Sequence, residues 1–143
     1  MEGILFFFIL FLAALLIFIK HIKWWIKLFV ALYYGILIYF FSKGYKKIQD
    51  DYELYRSKNE YNPNDPADVK ALENYWDPLA DYAGNFEVFF HLPVLILLTF
   101  SYYKWIKNGK NKTQRILIVL SLIPVSLIYL WIAILIGMLG YQP

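Results

Sequence analysis

The sequence predicts an all-α, polytopic membrane protein with four transmembrane helices. Three observations predict this class: long apolar runs divide the chain, charge-bearing breaks separate them, and 60% of the 143 residues are hydrophobic. An uncharged stretch of about 20 residues matches the roughly 30 Å hydrocarbon core of a bilayer. The apolar runs cover 3–19, 28–41, 86–103 and 116–139. We therefore expect two transmembrane hairpins, at 1–45 and 86–143, joined by an extramembrane helical segment at 46–85.

The first run would rise about 26 Å as a helix, and we expect it to be retained rather than cleaved as a secretory signal, because no positively charged segment precedes it. The break that follows at 20–27 (KHIKWWIK) lacks turn-forming residues, and its three lysines share one helical face. Two interpretations stay open. The break is either a tight hairpin with snorkelling lysines and interfacial tryptophans, or a short amphipathic helix on the membrane surface.

The second run is expected to continue out of the membrane as a helix to about Arg56, because aromatic and aliphatic residues recur beyond it at helical spacing. The stretch 59–66 (NEYNPNDP) predicts a loop. Asp65-Pro66 and Asp77-Pro78 each resemble an N-cap followed by proline at the first helical position. We therefore predict a short helix over 66–76 and a new helix that runs from Pro78 into the third span.

The last two runs each contain a proline, Pro93 and Pro124. A proline inside a membrane helix generally kinks it, and the carbonyl that it leaves without a donor finds another partner. The break between these runs predicts a turn at Asn108-Gly109.

Charge distribution predicts the orientation. The first and third breaks hold eight of the fourteen basic residues and no acid, whereas nine acidic residues lie in 50–81. The positive-inside rule places both basic loops in the cytoplasm or the mitochondrial matrix. We therefore expect a bacterial cytoplasmic membrane or a mitochondrial inner membrane. Lys43, Lys46 and Lys47 count against this orientation, because they lie beside the second span on the opposite side.

Glu87 and His91 form the one ionisable pair inside an apolar run, and their spacing places both on one face of a helix. Ionisable groups within a membrane suggest a proton relay or a ligand site, and Asp81 and Asn85 lie upstream on the same predicted helix. The alternative is structural: Glu87 would be stabilised near a helix N-terminus at the interface, and His91 would cap a neighbouring helix.

The basic break after the third run either contacts anionic lipid head groups or only sets orientation. Its basic residues are Lys104, Lys107, Lys110, Lys112 and Arg115. The chain has no cysteine, which excludes disulfides, thiolate metal sites and cysteine nucleophiles. His21 and His91 are expected on opposite sides of the bilayer, which disfavours a haem held by both. We expect no metal, no cofactor, no catalytic residue and no nucleic-acid partner.

Residues 85–95 (NFEVFFHLPVL) resemble the second helix of bacterial members of the membrane-associated eicosanoid and glutathione metabolism family, which is similar in size and has four spans. The resemblance covers about eleven residues of 143. It departs at Val88 and His91, where the family has Asn and Glu. The family also has one span before this segment and two after it, where this chain has two and one. No residue role is carried over.

The sequence favours a non-catalytic integral-membrane subunit or accessory protein of a larger membrane complex, with a structural or assembly role, for example in an energy-transducing membrane. Its partners would be the lipid bilayer and other membrane subunits. The alternative is a small transporter, channel or proton-conducting oligomer that uses Glu87 and His91. A membrane-bound enzyme of glutathione or lipid metabolism, which the local resemblance implies, ranks third.

Overall fold

A computed structural model shows a helical chain and describes residues 2–20, 22–58, 62 and 64–140. Its elements are α1 (Glu2–Phe18), α2 (Trp24–Lys58), α3 (Pro66–Asn108), α4 (Lys112–Gly137) and a short 3₁₀ helix, η1 (Met138–Gly140). No strand occurs in these described ranges. The all-α prediction is confirmed.

Three of the helices, α2, α3 and α4, are long and apolar enough to cross a membrane. The fourth, α1, is apolar but shorter, with 17 residues. Only 6% of the most apolar window of α4 is buried inside the protein, so most of this apolar helix is exposed at the surface of the single chain. Water would solvate such a surface poorly, and the dimensions are compatible with an integral membrane protein.

α2 and α3 form a long antiparallel pair that continues beyond their apolar segments. They contain 35 and 43 residues, which corresponds to about 52 and 64 Å of helix. α2 ends at Lys58, close to the predicted Arg56. Asp65 caps α3 as predicted: its side chain accepts a hydrogen bond of 2.9 Å from the Ala67 N–H, and Pro66 is the first helical residue.

The helix boundary that we predicted at Asp77-Pro78 is wrong. α3 runs from Pro66 to Asn108 without interruption, so 66–76 is its first part rather than a separate helix. Pro78 removes one helical hydrogen bond, but Leu79 beside it is fully buried and belongs to the main core with Ala83. Burial of this apolar face against the core favours continuation of the helix over the local start signal.

The first basic break is a short connection and not a surface helix. α1 ends at Phe18 and α2 begins at Trp24, and the described residues between them are not helical. Ile19 and Ile22 in this connection are buried with Leu97 of α3, and Trp105 packs against the same cluster. The structure therefore shows a short connection rather than a separate surface helix, located at the end of the bundle where α3 finishes. Snorkelling of its lysines and an interfacial position of its tryptophans stay predictions.

The third break contains the predicted turn. α3 ends at Asn108, Gly109 follows as its C-cap, and α4 starts at Lys112. Asn111 caps α4, because its Oδ1 accepts a 3.0 Å hydrogen bond from the Gln114 N–H. Since Ile22 and Trp105 share one cluster, both basic connections lie at the same end of the bundle.

The four helices pack around one aromatic cluster. Phe8 of α1 is fully buried between Tyr34 of α2 and Phe90 of α3, with ring centroids 5.3 and 5.4 Å away. Phe41 packs edge-to-face on Phe90 at 5.5 Å. Each such pair contributes about 0.5–1.5 kcal/mol beyond area burial. Backbone packing is most extensive between α2 and α3, followed by α3 with α4, α3 with η1, and α1 with α4.

Candidate functional site

The structure brings together two of the four residues predicted for a proton or ligand site. His91 is partly buried, and the exposed Glu87 lies within electrostatic reach of it and of Tyr129 on α4. Asp81 and Asn85 are exposed. Neither makes a side-chain hydrogen bond to any other described residue, so the structure gives no sign that they join the pair.

His91 makes a polar contact across the α3–α4 interface. Its Nδ1 lies 3.0 Å from the Tyr129 hydroxyl, and the two rings meet edge-to-face at 5.7 Å. When the hydroxyl donates to Nδ1, the proton of the neutral imidazole lies on Nε2. The Nε2 atom is buried and has no hydrogen-bond partner in the described part of the chain. The contact with Tyr129 was not predicted from the sequence. Whether the Tyr129 hydroxyl meets His91 depends on how α3 and α4 are each rotated about their own axes.

The structure differs in two respects from the structural interpretation of Glu87 and His91, in which Glu87 lies near a helix N-terminus and His91 caps a neighbouring helix. α3 begins at Pro66, so Glu87 lies more than five turns inside the helix, and the dipole of the first turn cannot stabilise it. His91 bonds to a side chain of α4 and caps no helix end. Its contact with Tyr129 instead joins the middle of α3 to the middle of α4.

The carbonyl that Pro93 leaves without a helical donor accepts a hydrogen bond from another helix. The sequence predicted that such a partner exists but did not identify it. Proline at position 93 deprives the Phe89 carbonyl of its helical donor, and the Tyr33 hydroxyl of α2 donates to that oxygen at 3.1 Å. The adjacent Tyr34 hydroxyl donates to the Phe90 carbonyl at 2.8 Å. Two neighbouring tyrosines of α2 therefore hold the backbone of α3 at its proline.

A third tyrosine makes the reverse connection from α3 to α2. The Tyr82 hydroxyl donates to the Phe40 carbonyl at 2.9 Å, and its ring stacks on Phe41 at 5.7 Å. Gly44 makes this approach possible, because a Cβ at position 44 would collide with the Tyr82 ring and hydroxyl. Sequence reasoning missed this contact, because α2 also contains Gly35, which has nothing within 4 Å of a Cβ position, and no local pattern distinguishes the two glycines.

The tip of the α2–α3 pair is joined by a buried carboxylate, Asp68, in the first turn of α3. One oxygen accepts from the Tyr55 hydroxyl at 2.9 Å, and the other accepts from the Asn62 backbone N–H at 2.7 Å. The hydrogen bond to Asp68, followed by burial, raises the pKa of Tyr55 above its usual 10.0. This carboxylate was not predicted, although an acidic residue three positions after the Asp65 cap was a sequence signal for a polar contact at the start of α3.

The basic residues predicted for lipid head groups divide into three groups. The Lys104 and Lys107 ammonium groups lie 5.6 and 5.9 Å from the ring centroids of Phe100 and Tyr103, within the range of cation–π contacts. Arg115 instead donates from Nε to the Gly109 carbonyl at 3.2 Å and stabilises the connection. Lys110 and Lys112 are exposed.

The described residues bring no group of three or more histidine, cysteine, aspartate or glutamate side chains together for a metal ion. His21 lies outside the described residues, so its predicted separation from His91 stays a prediction. Comparison of the chain with models of known families, with curated proteins and with solved structures found no match.

Proposed function

We propose that this chain is a four-span integral membrane protein that serves as a non-catalytic subunit or accessory protein of a larger membrane complex. The observation that supports this most is how its polar groups are used. The hydroxyls of Tyr33, Tyr34 and Tyr82 each donate to a backbone carbonyl of the neighbouring helix. Such bonds join helices to one another and leave few groups for chemistry on a substrate.

The outward surface supports the same proposal. Large apolar side chains are exposed on all four helices, among them Trp131 of α4 at 52% and Phe29 of α2 at 68% exposure. Lipid chains and the helices of other subunits are the two surroundings that such a surface favours. A chain with little polar surface in its spans is suited to fill and stabilise a membrane assembly.

The fourth span is the short helix α1. Its 17 residues rise about 26 Å, which local thinning of the bilayer would accommodate. The two basic connections would then face the cytoplasm or the matrix. The α2–α3 pair would project from the opposite side by about 24 Å, the rise of residues 43–58, far enough to reach a partner outside the bilayer.

Extraction in a mild detergent tests this proposal. We expect a tagged chain, expressed at its native level, to co-migrate with one or more membrane proteins at a fixed stoichiometry in size-exclusion chromatography. Mass spectrometry of the peak fraction would identify these co-migrating proteins. Recovery of the chain as a stable monomer free of other proteins would contradict the proposal.

A second function, a proton-conducting or transporting oligomer, is favoured by one observation. The buried His91 Nε2 has no partner among the described residues, and Glu87 lies within electrostatic reach of the same imidazole. We expect Glu87→Gln and His91→Ala each to abolish flux in liposomes if the pair carries protons, whereas the exposed control Val88→Ala on the same helix should not. Unchanged flux in both variants would dispose of this function.

A further inference from the structure

A groove opens between α1 and α2 at the end of the bundle from which the long α2–α3 pair projects. The α1 backbone packs against α4 and not closely against α2, and the groove between α1 and α2 has a volume of about 740 Å³. Leu5, Phe6 and Ile9 of α1 line one wall. The apolar wall of this open groove gains dispersion contacts from an apolar occupant, which water would not supply.

The other wall is a line of polar residues along α2, just past the last apolar residue of its span. Ser42 and Lys46 come first, then Asp50 and Glu53, so the cation lies nearer the membrane and the carboxylates lie farther out. Lys46 and Asp50 are one helical turn apart, about 6 Å along the axis. Among the described residues neither forms an ion pair, and Glu53 accepts only a 3.2 Å hydrogen bond from the Gln49 amide.

This order of charges complements one kind of lipid. In a zwitterionic phospholipid the phosphate lies at the membrane surface and the amine lies farther out. The polar wall has the matching order, with its cation nearer the membrane and its carboxylates farther out. A primary ammonium donates three hydrogen bonds, which suits two neighbouring carboxylates, whereas a choline ammonium has no donor. An anionic glycerol headgroup would bring no cation for Asp50 and Glu53.

We propose that this groove holds one phospholipid with an ethanolamine-type headgroup. Its acyl chains lie on Leu5, Phe6 and Ile9, its phosphate binds Lys46 with Ser42, and its ammonium binds Asp50 and Glu53. The inference rests on the membrane embedding proposed above, but it does not need the chain to be a subunit of a complex. A lipid held here would fasten α1 to α2 where their backbones do not pack.

Lipid retention by the full chain tests the proposal. The chain is reconstituted in nanodiscs of equal phosphatidylethanolamine, phosphatidylcholine and phosphatidylglycerol, extracted in detergent, washed, and analysed by native mass spectrometry. We expect about one phosphatidylethanolamine per chain. Lys46→Ala should lower its retention by about tenfold, the effect of losing one charge-assisted contact. The matched control Lys47→Ala removes the same charge from a residue that does not line the groove and should retain the lipid.

A second variant makes the test specific to headgroup chemistry. Asp50→Asn combined with Glu53→Gln removes the carboxylates but keeps Lys46, so the preference should move from phosphatidylethanolamine to phosphatidylglycerol. Equal retention of all three lipids, equal loss in the Lys46 and Lys47 variants, or a protein segment crosslinked into the groove would each overturn the proposal. A chain that fails to enter nanodiscs would instead contradict the membrane embedding.

Discussion

The Tyr33 hydroxyl of α2 donates to the Phe89 carbonyl of α3 at 3.1 Å, the oxygen that Pro93 leaves without a helical donor. The interhelical bond therefore replaces a hydrogen bond that the helix cannot form by itself. In an apolar surrounding an unpaired carbonyl is costly. Tyr33 and Pro93 are thus energetically linked although they lie on different helices.

We expect Tyr33→Phe to lower the free energy of unfolding by about 1 kcal/mol, since the Phe89 carbonyl then loses its partner. In a Pro93→Ala background, the new N–H at position 93 can donate to that carbonyl, so the cost of Tyr33→Phe should fall to nearly zero. A double-mutant cycle in mixed micelles, followed by tryptophan fluorescence, measures this coupling.

Tyr34→Phe is the control for that cycle. Tyr34 donates to the Phe90 carbonyl, which also has the Val94 N–H within the helix. Its cost should therefore be the same with Pro93 and with Ala at position 93. If both tyrosine variants responded equally to Pro93→Ala, the proposed link between Tyr33 and the freed carbonyl would be excluded.

Gly44→Ala should destabilise the α2–α3 pair by about 1–3 kcal/mol, because the new methyl group collides with Tyr82 and forces the helices apart. Gly35→Ala is the matched control, since nothing lies within 4 Å of a Cβ at that position. Alanine there should be neutral or stabilising by helix propensity. Thermal unfolding in detergent compares the two, and a lower Tm for the Gly35 variant than for the Gly44 variant would contradict the close contact.

The tip of the α2–α3 pair should lose stability at high pH. The pKa of Tyr55 is raised above 10.0 by its hydrogen bond to Asp68, so the folded state favours the protonated phenol. Its contribution is fully present below pH 10 and is lost as the pH rises through the folded pKa. We expect the Tm difference between wild type and Tyr55→Phe to be constant from pH 7 to 9 and to shrink above pH 10. A Tm difference that grew above pH 10 would contradict the raised pKa of Tyr55 in the folded state.

Tyr129→Phe tests whether the His91 contact stabilises the α3–α4 interface. Loss of the hydroxyl leaves His91 Nδ1 without its 3.0 Å partner, and we expect a loss of about 1 kcal/mol in stability. Tyr103→Phe serves as the comparison, because that residue is exposed and its hydroxyl makes no hydrogen bond within the described chain. Equal stability of both variants in the same unfolding assay would show that the contact contributes nothing.

Sequence reasoning located the helices because apolar length and turn chemistry are local properties. Asp65-Pro66 and Asn108-Gly109 mark real helix ends, whereas the identical signal at Asp77-Pro78 failed because tertiary burial of Leu79 outweighs it. Pairings between helices were not predictable in the same way. The contact of His91 with Tyr129 depends on how far each helix is rotated about its axis, and no local pattern in a single sequence specifies that rotation.

Sidedness of the chain tests the four-span embedding most directly, and the absence of native cysteine makes every introduced cysteine unique. Gly3→Cys, Ser57→Cys and Lys110→Cys are labelled with a membrane-impermeant maleimide in intact and in permeabilised vesicles. We expect Gly3→Cys and Ser57→Cys to react from one side and Lys110→Cys only from the other. Labelling of the Ser57 and Lys110 variants from the same side would contradict the embedding.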